Sequence, residues 1–177
     1  MVLFQFSILD IRDERTEDHR AIYDLIQSAF ADKEFSSGTE GPIVNRLRTD
    51  GDLTISLVAV RAEVLVGHIA FSPLSIEGVS KDIYALGPVA ADPELRHQGI
   101  GTALINEGLA RLRSINARAC VLVGDPNYYY RFGFVGDCGL SSGNLPAEVV
   151  QALVWGSPLP DGEISFAPAF STGSSQP

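Results

Sequence analysis

The sequence predicts an α/β domain in which a mixed, mostly antiparallel sheet is flanked by helices. Three observations lead there. Ile22, Leu25, Ile26, Ala29 and Phe30 recur at helical spacing, so residues 16–30 read as an amphipathic helix. Three runs rich in Val, Ile and Leu follow at 53–61, 64–76 and 83–91, joined by short turns. A second helical pattern over 99–115 then leads directly into the apolar run 117–123.

In chain order, residues 4–11 alternate well enough for a first strand. Thr16 precedes Glu17 and Asp18, acids placed where a helix start favours negative charge. Residues 32–39 are polar and carry Ser-Ser-Gly, a loop, and a short helix follows through Ile43, Val44 and Leu47 to Gly51. The tight turn at Ala62-Glu63 makes the flanking strands antiparallel neighbours, and their loose alternation implies a sheet covered on both faces. Further on, 126–132 reads as a short helix or turn, 134–135 as resumed strand, 146–155 as an amphipathic helix and 163–167 as a strand. The chain thus divides into a main domain at 1–136, a Gly-, Ser- and Pro-richer extension at 137–170 packed on it, and a disordered tail at 171–177.

Composition narrows the function. The 177 residues carry 22 acidic and 13 basic side chains, a formal charge of −9, with 45% apolar residues. That is one globular domain with a real core. Lys33 and Lys81 are the only lysines, which argues against a nucleic-acid partner. Two cysteines make neither a disulfide framework nor a four-ligand zinc site, and Cys120 sits in an apolar run as a core thiol. The start lacks a signal-peptide pattern and no stretch is apolar enough to span a membrane, so the expected location is cytoplasmic. Monomer and homodimer are both open, and no metal is implied.

The informative stretch runs from Leu86 to Ile105. A strand ends at Ala91, turns at Asp92-Pro93, and enters a helix through Arg96-His97-Gln98-Gly99-Ile100-Gly101. The glycines let a ligand approach the backbone, and the unpaired N–H groups of the helix start take an anion. Arg96 adds a forked cationic donor, His97 can touch phosphate, and the Thr102 hydroxyl serves either phosphate or backbone. Val89 and Ala91 offer main-chain groups. The dinucleotide fingerprint fails because its third glycine is Leu104, and a P-loop fails for want of a nearby lysine.

Arg-x-x-Gly-x-Gly after a strand and an acidic-Pro turn instead resembles motif A of the GNAT N-acetyltransferase superfamily. Asp125-Pro-Asn-Tyr-Tyr-Tyr-Arg-Phe-Gly-Phe134 resembles its motif B. The wording of that segment, with Gly67-His-Ile-Ala-Phe-Ser-Pro and Ala167-Pro-Ala-Phe, is similar to a YhbS-like subgroup. The resemblance implies a V-shaped split between central strands holding acetyl-coenzyme A, its pyrophosphate on Arg96, His97, Gln98, Gly99, Gly101 and Thr102. It also implies pantetheine pairing along Val89 and Ala91, a Val89 amide polarising the thioester carbonyl, and Tyr129 protonating the departing thiolate. Glu40 and Glu34 fall where the family builds its acceptor pocket, and Glu40 is the candidate base. One departure stands: many relatives carry an asparagine where this chain has Leu122.

The implied activity is acetyl transfer from acetyl-coenzyme A to an amine on a small molecule or peptide, by direct attack in a ternary complex. Neither nucleic acid nor membrane is an expected partner. A non-catalytic sensor of coenzyme A, or an interaction module on the same fold, is the alternative. His68 shares strand parity with Val66 and Ala70, and reads either as a core histidine or as a catalytic one.

Overall fold

The computed structural model describes residues 8–34 and 36–173, with side chains through Ser171. Residues 4–7 of the first expected strand therefore lie outside the described residues, as do 174–177 of the expected tail.

The strands are β1 (Asp10–Asp13), β2 (Ile55–Arg61), β3 (Val64–Ile76), β4 (Ile83–Ala91), β5 (Ala119–Val123), β6 (Leu140–Ser141), β7 (Val150–Val154) and β8 (Gly162–Phe166). The helices are α1 (His19–Phe30), α2 (Glu40–Asp50), α3 (Ile100–Ser114) and α4 (Pro126–Tyr129). The main path orders the strands β1-β2-β3-β4-β5-β7, with β8 pairing the far end of β3. Along this path only β4 and β5 run parallel.

Strand parity distributes the core. Leu57, Ala59, Ile69 and Phe71 pack beneath Ile100, Leu104 and Ile105 of α3. The interleaved Val58, Ala70 and Ala90 meet Ile22 and Ile26 of α1 and Val44 of α2 on the other face. Both faces are covered, as the loose alternation predicts. Glycine permits the closest approaches: a side chain at Gly67 would strike Ile100 and Leu104, and one at Gly108 would strike the Phe71 ring.

The expected helix at 146–155 is a correction. Residues Ala147–Val149 make one 3-10 turn, and β7 then pairs antiparallel with all of β5. Val150, Ala152 and Val154 also fit a strand, and a helix there would leave the β5 edge unpaired. The C-terminal segment continues through β8 into a 3-10 helix, Pro168–Gly173, so residues 171–173 are part of a turn. Ala167 and Ala169 close against Leu47 of α2, and Phe170 packs on Phe166 with ring centroids 5.1 Å apart.

Helix propensity alone predicts that Gly108→Ala stabilises by about 1 kcal/mol. The Phe71 ring reverses the sign, because the fully buried phenyl has nowhere to retreat. Thermal denaturation should show a loss of roughly 1–3 kcal/mol; a raised midpoint would refute the close packing.

Candidate active site

The site begins where a pairing stops. Parallel pairing of β4 with β5 joins Ile83, Ala85 and the residue between them to Ala119–Val121 and extends no further, although β4 runs on to Ala91. On its other side β4 stays paired with β3 as far as Ala91, with a register shift at Gly87-Pro88. Alternate backbone groups between Leu86 and Ala91 therefore face an open gap, available to an extended ligand. Val89 and Ala91 are half-buried there, whereas Ala90 is buried on the α1–α2 face.

β4 delivers the chain into the start of α3. Asp92 caps a 3-10 turn by accepting from the Glu94 N–H at 2.9 Å. Arg96, His97, Gln98 and Gly99 then form an exposed loop in which His97 and Gly99 hold left-handed φ values of 63° and 79°. Ala103 is the first residue whose N–H finds a carbonyl of this turn, that of Gly99 at 2.9 Å. The N–H groups of Ile100, Gly101 and Thr102 are left without helical acceptors. A side chain at Gly101 would meet only the Tyr128 hydroxyl, at 3.3 Å, so the residue is small where a ligand can come close.

One cation was missed from sequence. Leu57 and Ala59 lie under α3, and β2 continues past the start of that helix to Arg61. The Arg61 Nη1 donates to Gln98 Oε1 at 2.7 Å, and its buried Nε has no partner among the described residues. Arg12, Arg20, Arg46, Arg48 and Arg111 each pair with a carboxylate. No such pair involves Arg61 or Arg96 among the described residues. Two unpaired cations beside the positive end of a helix repel it, an arrangement that an anionic ligand relieves.

On the β5 side, Asp125 caps α4 by accepting from the Asn127 N–H at 2.9 Å. The Tyr129 ring lies against Gly124, where an added Cβ would come within 2.6 Å of it. Tyr128 and Phe134 flank the ring at centroid distances of 4.9 and 6.0 Å. Burial, reinforced by Tyr128, pushes the Tyr129 phenol up to about 12, so it is protonated at neutral pH. Tyr128 is the neighbour whose hydroxyl reaches Gly101, and the Arg131 guanidinium lies 4.6 Å over its ring. Tyr130 is exposed. Leu122 is buried in the core, and Gln151 beside it on β7 donates from its buried amide to the Gly124 carbonyl at 3.0 Å.

Glu40 opens α2 half-buried and accepts from the Ser36 hydroxyl at 2.9 Å; no described hydrogen bond or ion pair joins it to the motif residues. A different carboxylate is better built in. Glu14, just past β1, accepts from Arg48 at 2.8 and 3.0 Å and from the Ser56 hydroxyl at 2.5 Å. His19 reaches it at 3.3 Å. Burial raises the Glu14 carboxyl, but the Arg48 and Ser56 bonds outweigh it and hold the group below its ordinary value. Ser56 Oγ lies 2.8 Å from Nε2 of His68, which is wholly buried, while Nδ1 has no partner among the described residues.

Cys120 is buried and its thiol is driven far up by desolvation, which removes it as a nucleophile. No described group of His, Cys, Asp and Glu could hold a metal ion, and no described helix is long and apolar enough to cross a membrane. A cavity of about 500 Å³ opens at the far end of α3 around Lys81, Arg113, Arg118 and Trp155. None of the motif residues lines it.

Fold and site together define a split-sheet domain whose open strand edge runs into a helix start with free N–H groups. The model of the Acetyltransferase (GNAT) family matches residues 11–134, and this chain belongs to that family. The uncharacterized N-acetyltransferase YhbS of Escherichia coli K12 is 40% identical over 103 residues, 58% of this chain. That alignment spans 62% of YhbS, less than two thirds of its length. A GNAT family acetyltransferase from Brucella melitensis, solved with acetyl-CoA, is 41% identical, with a TM-score of 0.84 over 93% of this chain and 99% of that one. Escherichia coli YhbS, solved with CoA, gives 0.83 at 28% identity over 97% and 96%.

His68 yields a stability prediction. Burial, the largest cause, lowers its pKa from 6.5 to about 4, with Glu14 opposing and Arg48 adding. Its neutral form is favoured in the folded state, so stability is complete above about pH 6.5 and drains as pH falls toward 4. The loss should reach roughly 3 kcal/mol. Urea denaturation at pH 7 and 4.5 should show His68→Gln to be less acid-sensitive than wild type; equal sensitivity would contradict a buried neutral ring.

Proposed function

We propose that the protein transfers an acetyl group from acetyl-coenzyme A to an amine by direct attack in a ternary complex. The observation that carries this reading is the open edge of β4 running into the unpaired N–H groups of α3, flanked by two unpaired arginines. An extended amide-bearing arm suits the former and a pyrophosphate the latter. The Brucella melitensis structure with acetyl-CoA supports the same cosubstrate.

In this reading the main chain at Val89 and Ala91 pairs with the pantetheine arm, and a Val89 amide polarises the thioester carbonyl. Arg96, His97, Gln98, Gly99, Gly101 and Thr102 hold the pyrophosphate, with Arg61 as an added cation. Tyr129 returns a proton to the leaving thiolate, a role that suits a phenol still protonated at neutral pH. The acceptor amine must arrive neutral, since an ammonium has no lone pair. Glu40, at the start of α2, draws in a cationic acceptor and takes that first proton. Bringing both reactants into one cleft supplies much of the rate without a covalent enzyme intermediate.

Calorimetric titration with acetyl-coenzyme A tests the reading. Wild type should bind, and Arg96→Ala should weaken binding by about 10- to 100-fold, the scale of hydrogen bonds to a charged group. Gly101→Leu should abolish it while the helix persists, because Gly101 has ordinary helical backbone geometry. No heat with wild-type protein would end the proposal. Tyr129→Phe should bind acetyl-coenzyme A normally but lose roughly 100-fold or more in kcat, measured as thiol release; an unchanged rate would remove the tyrosine from the chemistry.

A further inference from the structure

The buried polar chain Glu14–Ser56–His68 has a direction, and the direction follows from hydrogen-bond chemistry. An ionised carboxylate only accepts, so the 2.5 Å contact requires the Ser56 hydroxyl to donate to Glu14. Ser56 Oγ has then spent its proton and must accept at the 2.8 Å contact with His68, which places a proton on Nε2. A neutral imidazole carries one ring proton. Nδ1 is therefore a bare lone pair, wholly buried and without a donor among the described residues. Buried polar atoms are ordinarily paired, so an orphan acceptor at the end of an oriented chain calls for an explanation.

Its position supplies one. His68 stands directly across from Ala90 of β4, between the partners of Val89 and Ala91. Four residues along β3, and so on the same face, the buried Ser72 hydroxyl also has no partner among the described residues, opposite Ala85, the last β4 residue that pairs with β5. The two orphans bracket the stretch of β4 that opens from the sheet. At the other end of the chain, Glu14 and Ser56 line a surface cavity of about 310 Å³ with Asp13, Arg48 and Thr54. A polar path thus runs from the interior beside the open strand to solvent.

We propose that His68 receives the second proton of the acceptor amine, through Nδ1, and that Ser56 and Glu14 carry the charge out. The proposal rests on the transferase reading above. As the nitrogen attacks, its C–N bond forms and the C–S bond breaks, the electron pair leaving on sulfur, which Tyr129 protonates. The nitrogen's surplus proton passes to Nδ1, the Nε2 proton passes to Ser56 Oγ, and the serine's own proton passes to a Glu14 oxygen. Glu14 then releases it to solvent through the cavity, and Tyr129 takes a proton back from solvent. Once the product has left, the Nδ1 proton departs through the vacated cleft and another returns from solvent through Glu14 and Ser56 to Nε2, which restores the starting tautomer with a net release of the one proton the amine loses. Arg48 from α2 and His19 from α1 face the same carboxylate, and Arg48 favours its return to the ionised form. His68 is the group that meets the reacting nitrogen, whereas Ser56 and Glu14 act through it.

The test uses the full chain. Nitrogen-15 NMR of the imidazole should show a neutral ring protonated on Nε2 with Nδ1 bare at pH 7; a proton on Nδ1 would overturn the proposal. Thiol release from saturating acetyl-coenzyme A is then measured with ethylamine, tyramine, spermidine and glycinamide as probes. His68→Gln keeps a donor toward Ser56 but offers no base. Its kcat should fall about 100-fold or more with the best probe, while calorimetric affinity for acetyl-coenzyme A stays within about twofold. Ser56→Ala, which leaves the histidine in place, should lower kcat about 10-fold with the same affinity. An unchanged kcat in His68→Gln would overturn the relay and leave the transferase reading standing. Wild-type protein that binds acetyl-coenzyme A yet releases no thiol with any probe would overturn both.

Discussion

The early end of pairing between β4 and β5 is the constraint on which the rest of the molecule turns. Backbone groups inside a sheet are normally consumed by neighbours on both sides, and an unpaired edge in the interior is costly. Here the pairing stops at Ala85 and Val121 while both strands continue, so a row of donors and acceptors is left for something that is not this chain. The register shift at Gly87-Pro88 lies in the same stretch. It gives the strand a local bend where its partner has gone.

A sheet can open at one end only if it is held at the other. β7 pairs along the whole of β5, and β8 binds the far end of β3, so the C-terminal third closes the sheet opposite the split. The turn after β8 meets Leu47 and so ties α2 to the same frame. Within the gap, the Gln151 amide fixes the Gly124 carbonyl, and Gly124 carries the Tyr129 ring. The phenol is thus set by a strand and a neighbouring amide as much as by its own short helix. Leu122, where the resemblance leads one to look for an asparagine, is simply core.

What was legible in the sequence was what is local in the chain. Residues 92–102 are contiguous, and a strand, an acidic-Pro turn and a glycine-spaced helix start declare an anion site without any tertiary information. The short helix that carries Tyr129 was legible for the same reason. Arg61 was not, because its role comes from β2 overrunning the start of α3, a packing fact between segments 37 residues apart in the bond to Gln98. The Tyr128 hydroxyl beside Gly101 and the alignment of Glu14, Ser56 and His68 are likewise products of strand register. The stretch 146–155 misled for a different reason. Its apolar residues satisfy both periods over a short window, and only the unpaired β5 edge decides between them.

Charge completes the division of labour. The chain carries a formal −9, yet Arg96 and Arg61 at the end of β2 make no ion pair among the described residues. For folding this is unfavourable, since they sit at the positive end of a helix. Five other arginines are neutralised in place, as Arg48 is by Glu14 and Arg12 by Asp18. An acidic body repels polyanions in general, so a polyanion is held only where several donors and cations converge within one turn. The same acidity attracts a cationic acceptor. In the proposed reading, an anionic carrier is held where free helix N–H groups and unpaired cations converge, and a basic acceptor is drawn by the acidic body around them.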